Sequence, residues 1–125
     1  MGFLMKRRIL IVDDDRDHAE SIADLVAMRG HDVEIAGSGE AGIAHFRAAE
    51  FDLVLMDVKM PGMNGVDAFF ELRKLRPDAC VMMMTGFSVE QLVDRAVANG
   101  AIGALRKPLA IPQLLHAIET LTLAP

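Results

Sequence analysis

Short apolar runs alternate with longer segments whose apolar positions recur every three or four residues, and this pairing repeats five times along the chain. Residues 8–12, 32–36, 52–56, 80–84 and 103–106 are short, mostly apolar and bounded by turn formers, which predicts five β-strands. Leu53-Val54-Leu55-Met56 and Val81-Met82-Met83-Met84 are apolar without alternation. Strands read this way when helices cover both faces, so these two belong in the middle of the sheet.

Between the strands, residues 18–29 place Ile22, Leu25, Val26 and Met28 near one helical face, and residues 39–50 do the same with Ile43, Ala44 and Phe46. A third helix begins just after Gly65 and carries Ala68, Phe69, Leu72 and Leu75. It should stop at Pro77, whose ring disfavours helical geometry in the residue before it. Ser88-Val89-Glu90-Gln91 matches a capping box opening a fourth helix that ends near Gly100. The fifth opens around Pro112, which suits a first helical turn, and carries Leu114, Leu115, Ile118 and Leu121. Five successive βα units predict a doubly wound α/β sandwich with a parallel sheet and right-handed crossovers, and such sheets bind ligands beyond the carboxyl ends of their strands.

Composition narrows the class. With 125 residues, 52% of them hydrophobic and 25% charged, the chain is one ordinary domain able to bury a core. A net charge of -5 argues against direct binding to nucleic acid, which is held through clustered Lys and Arg. The lone Cys80 cannot form an internal disulfide and reads as a small buried hydrophobe, in keeping with a reducing cytoplasm. Residues 1–8 start apolar and then turn basic, the reverse of a secretory signal, and no run reaches membrane-spanning length.

The predicted strand ends carry the chemistry: Asp13, Asp14 and Asp15 after the first, Asp57 after the third, Thr85 after the fourth and Lys107 after the fifth. A single Asp after a strand is usually a turn former or helix cap. Several carboxylates converging on one spot repel one another, however, and resist ionising unless a cation offsets them. Oxygen-only ligands suit Mg2+ or Mn2+, and Mg2+ characteristically combines one or two carboxylates with waters and a phosphate oxygen. Asp57 can then act as a nucleophile forming an acyl phosphate, with Lys107 and the Thr85 hydroxyl meeting charge on the phosphoryl oxygens.

The segments Ile9-Leu10-Ile11-Val12-Asp13-Asp14-Asp15, Leu53-Val54-Leu55-Met56-Asp57-Val58-Lys59-Met60-Pro61-Gly62-Met63-Asn64-Gly65, Met84-Thr85-Gly86 and Lys107-Pro108 closely resemble, in order and spacing, the motifs of response regulator receiver domains. The resemblance implies a flavodoxin-like (βα)5 fold with strand order 2-1-3-4-5, one receiver domain over residues 1–125 with a structured core at about 7–123. It implies Mg2+, or Mn2+, held by Asp13, Asp14, Asp57 and the Val58 backbone carbonyl, with Lys107 pairing a phosphoryl oxygen and a cis peptide before Pro108. Asp15 reads as a helix cap. By resemblance the phosphoryl donor is a histidine kinase or histidine phosphotransfer protein. The chain is then a cytoplasmic switch that acts catalytically only on its own phosphorylation and dephosphorylation and signals to a downstream protein, with homodimerisation on phosphorylation left open.

Several positions stand apart. Many family members carry an aromatic residue three positions before the lysine, and here that position is Ala104, which implies an atypical output face or signalling through other contacts. Lys59 and Phe87, each two residues after a site residue, flank the path of attacking water by resemblance, and the bulk of Phe87 would prolong the phosphorylated state. Met82, Met83 and Met84 point alternately to opposite faces and read as core. His18, His31, His45 and His116 lack metal-ligand spacing and read as surface or helix-end residues, so no catalytic histidine is assigned. Two other classes compete: a haloacid-dehalogenase-like phosphohydrolase with Asp13 as nucleophile, and a phosphorylation-independent adaptor. The first needs further acidic residues after Lys107, and residues 109–116 hold none.

Overall fold

In the computed structural model, residues 6–86 and 90–123 are described. Strands β1 (Arg8–Val12), β2 (Asp32–Ala36), β3 (Leu53–Asp57), β4 (Val81–Thr85) and β5 (Gly103–Arg106) alternate with helices α1 (Arg16–Met28), α2 (Gly39–Ala48), α3 (Gly65–Leu75), α4 (Glu90–Ala98) and α5 (Ile111–Leu123). All strand pairings are parallel and the order is β2-β1-β3-β4-β5, the predicted doubly wound flavodoxin-like arrangement.

The two-residue period of a strand sorts the core into two layers. Leu10, Val12, Val54, Met56, Val81 and Met83 face α2, α3 and α4, meeting Phe46, Phe69, Leu72, Val93 and Ala96. Ile9, Ile11, Leu53, Leu55, Met82 and Met84 face α1 and α5, meeting Ala19, Ile22, Val26, Leu114 and Ile118. The methionine run is thus core on both sides of β4. The unbroken apolar runs of β3 and β4 are buried, as centrality requires, while β5 at the edge is only half covered.

Several boundaries shift. Both β3 and β4 begin one residue later than the pattern suggested and end on Asp57 and Thr85, so these two residues close the strands themselves. Helix α1 begins at Arg16, two residues early, because the Asp15 carboxylate accepts the His18 N–H and caps it there. Its buried stripe is Ala19, Ile22 and Val26; Leu25 is half-buried, and Met28, about 150° round the helix from that stripe, is 81% exposed. In α2 the buried positions are Gly39, Gly42 and Phe46, with Ala44 exposed. Leu75 ends α3 partly in solvent, and Cys80 is half-buried. His31 is a further correction: it is buried, because its Nδ1 accepts the Arg7 N–H (3.0 Å). The proposed Ser88 cap, Phe87 and the Leu121 side chain lie outside the described residues.

Candidate functional site

Parallel pairing in register brings the carboxyl ends of β1, β3 and β4 to one rim. Asp13 follows β1, with its N–H bonded to the Ala36 carbonyl (3.0 Å). Asp57 closes β3, and Val58 extends the sheet by donating to the Met84 carbonyl (3.0 Å). Lys107 enters from the edge strand, its N–H donating to the Thr85 carbonyl (2.7 Å), with a cis peptide joining it to Pro108.

These backbones converge three charges. Lys107 Nζ lies 3.1 Å from Asp57 Oδ2 and 3.3 Å from Asp13 Oδ2. Asp13 and Asp57 are 1% and 4% exposed, whereas Asp14 stands in solvent, yet carboxylate oxygens of all three lie within 4.8 Å of one another. Two buried carboxylates thus share one half-buried ammonium.

The two buried carboxylates are treated differently. Burial pushes Asp13 upward, but the His18 ring, the Asp15 N–H and Lys107 outweigh it, and its pKa falls below the ordinary carboxylate range. Its Oδ1 accepts the Asp15 N–H (2.9 Å) and its Oδ2 meets His18 Nδ1 (2.6 Å) as well as Lys107. Among the described residues, Asp57 accepts a hydrogen bond from Lys107 through Oδ2. Burial raises its pKa, Lys107 pulls it back, Asp13 pushes it up again, and the outcome is about 6. Lys107 is lowered by burial but raised further by Asp57 and Asp13.

The remaining candidates frame this cluster. The Thr85 hydroxyl is half-buried and donates to the Gly86 carbonyl (3.2 Å) rather than to a carboxylate. The Val58 carbonyl accepts the Gly65 N–H (2.8 Å), which leaves it one lone pair. Asn64 caps α3 by accepting the Val66 and Asp67 N–H groups, and Gly65 behind it approaches so closely that a Cβ would lie 1.9 Å from the Asp57 carbonyl oxygen. Glycine is therefore required where the loop after Asp57 returns to the sheet. Ala104 is exposed, and it lines with Thr85, Val93, Glu90, Asp94 and Arg106 an open cleft of about 200 Å³ between α4 and β5.

His18 is the residue that sequence reasoning missed. It has no ligand spacing to betray it; the only signal was Asp15, whose cap sets where the first turn of α1 points.

Comparison with known proteins agrees with this geometry. The family model described as the response regulator receiver domain matches residues 9–119. A response regulator receiver protein of Anaeromyxobacter sp. (strain Fw109-5) is 38% identical over 109 residues, covering 87% of this chain and 46% of that protein. The transcriptional regulatory protein ZraR of Salmonella typhimurium is 37% identical over 89% of this chain, which covers 25% of its length. The chain thus spans half or less of these curated relatives. The crystal structure of a CheY-like response regulator receiver domain protein from Methanospirillum hungatei superposes with a TM-score of 0.89 at 32% identity, covering 94% of each chain.

Proposed function

The chain belongs to the response regulator receiver domain family, and on that premise we propose that Asp57 accepts a phosphoryl group from a histidine kinase or histidine phosphotransfer protein. The observation that carries this reading is the difference between the two buried carboxylates. Asp13 has both oxygens engaged by donors, whereas among the described residues Asp57 has a donor only on Oδ2, from Lys107. In the transfer, an Asp57 oxygen bonds to phosphorus as the P–N bond to the donor imidazole breaks and the leaving nitrogen keeps the electron pair.

The residues fit a hard divalent cation. Their donors are all oxygen, and burial with the neighbouring Asp13 raises the Asp57 pKa to about 6 despite the pull of the Lys107 ammonium. Asp13, Asp14 and Asp57 would hold Mg2+ or Mn2+, together with the lone pair that Gly65 leaves on the Val58 carbonyl. Bound there, the cation supplies charge neutralisation for the transferring group. Lys107, already between the two carboxylates, pairs with a phosphoryl oxygen, and the Thr85 hydroxyl turns from Gly86 to bind another.

Among the described residues no helix is long and apolar enough to cross a membrane. We take the chain to be a cytoplasmic receiver domain over residues 1–125 that changes its affinity for a downstream protein when phosphorylated, homodimerisation being one such outcome. With Ala104 in place of an aromatic, the cleft beside Thr85 is open to a partner side chain.

Labelled acetyl phosphate with Mg2+ tests the reading. Expected is stable, stoichiometric label on the protein, abolished by EDTA and by Asp57→Ala. Continuous phosphate release that is lost in Asp13→Ala and kept in Asp57→Ala would make the chain a hydrolase. No label and no release would make it an adaptor.

A further inference from the structure

The His18 ring reaches back over the first turn of α1 to the buried carboxylate that begins the site. Its own N–H is fixed by the Asp15 cap (3.1 Å), and side chains in the first turn of a helix lean toward its N-terminus. The same turn ties Asp13 from the other side, since the Asp15 N–H donates to Asp13 Oδ1 (2.9 Å) while His18 Nδ1 lies 2.6 Å from Asp13 Oδ2. An ionised carboxylate only accepts, so the hydrogen of this contact is on Nδ1. With one donor on each oxygen, the plane of the Asp13 carboxylate cannot rotate freely, and Lys107 closes the third side (3.3 Å).

We infer that His18 is a positioning residue for the divalent-cation site, holding the Asp13 carboxylate through Nδ1–H in the orientation in which it serves as ligand. The inference rests on the reading of Asp13, Asp14 and Asp57 as metal ligands. A donor behind a ligating group orients it in advance and removes the entropy that binding would otherwise cost; losing such a partner typically weakens metal affinity by about 10- to 100-fold. His18 is three-quarters covered on its side chain, enough to keep water from replacing the bond.

The test is Mg2+ binding to the unphosphorylated full chain by isothermal titration calorimetry, with His18→Ala and His18→Asn beside the unaltered protein. The Asn amide places a donor where Nδ1 stood and lacks the rest of the ring. Expected is a Kd for Mg2+ raised about 10- to 100-fold in His18→Ala and restored to within about threefold in His18→Asn. Urea unfolding in EDTA should show both variants as folded as the parent. A Kd in His18→Ala within twofold of the parent, or tighter, overturns the inference, and so does an Asn variant as weak as Ala. If the unaltered protein itself takes up no Mg2+, the reading of the metal site fails instead.

Discussion

Asp57→Asn should make the metal-free protein more stable. Asp57 is 4% exposed, and its carboxyl is raised from 3.8 to about 6 by burial and by Asp13, against the pull of Lys107. Each unit of pKa difference between folded and unfolded chain corresponds to about 1.36 kcal/mol, so ionising Asp57 in the folded protein costs about 3 kcal/mol at neutral pH. That is a large fraction of the roughly 5–15 kcal/mol by which a domain of this size is folded. Asparagine keeps the shape without the charge, and Lys107 keeps its second partner, Asp13, at 3.3 Å.

The sign of the pH dependence follows from proton counting. A carboxyl whose folded pKa lies above its unfolded value binds more protons in the folded state between about 3.8 and about 6. The cost is therefore full above about 6 and fades as the pH falls toward 3.8. Urea unfolding in EDTA should show Asp57→Asn ahead of the parent by about 3 kcal/mol at neutral pH, with the gap closing on acidification through that window. Added Mg2+ should reverse the order, because a ligand that binds only the folded parent stabilises it by mass action. An Asn variant no more stable than the parent in EDTA, or a gap indifferent to pH, would refute the account of Asp57 as a buried charge awaiting a cation.

Three further outcomes follow from the same coordinates. Lys107→Met leaves two buried carboxylates without their ammonium and should lower metal-free stability by about 3–5 kcal/mol in urea titrations, with saturating Mg2+ recovering most of the loss. Gly65→Ala puts a methyl 1.9 Å from the Asp57 carbonyl oxygen; denaturation should report a loss of at least about 1–3 kcal/mol and calorimetry a weakened Mg2+ site, and a neutral Ala variant would mean the loop yields freely. His31 is lowered from 6.5 by burial and by Arg7, against Asp52, so the unfolded chain binds its proton more readily and stability should fall as the pH drops below 6.5. This slope is best read in Asp57→Asn, where the opposing titration is gone, and His31→Gln should flatten it.

The fold was legible where one local rule sufficed. Continuous apolar runs marked β3 and β4 as central because coverage on both faces leaves no polar positions. Asp13, Asp57 and Lys107 were legible as strand-end residues, and the topology brings them together. Met28 falls about 150° round the helix from the stripe of Ala19, Ile22 and Val26, so a loose grouping of apolar residues placed it on a face that the strict helical period denies it. What else escaped depends on contacts between distant segments. His31 is buried because the N–H of Arg7, 24 positions away, needs an acceptor there. His18 belongs to the site through the direction a cap gives to one turn, which spacing alone does not encode.

On the proposed reading, the unequal treatment of two aspartates suits one of them to hold a cation and the other to attack as a nucleophile. Asp13 sits where three donors converge, so its negative charge is largely satisfied and, of the roughly four acceptor sites of a carboxylate, about one is left for a cation. Such a carboxylate is a poor nucleophile, since attack would mean giving up those hydrogen bonds before the new bond forms. Among the described residues Asp57 has a single donor, and its ionisation is opposed by burial and by the neighbouring charge. A divalent cation relieves that cost at Asp57 while leaving an oxygen free, so cation binding and nucleophile formation are favoured together. Lys107 bridges both residues from the edge strand. A dianionic group on Asp57 would therefore draw the Lys107 ammonium away from Asp13.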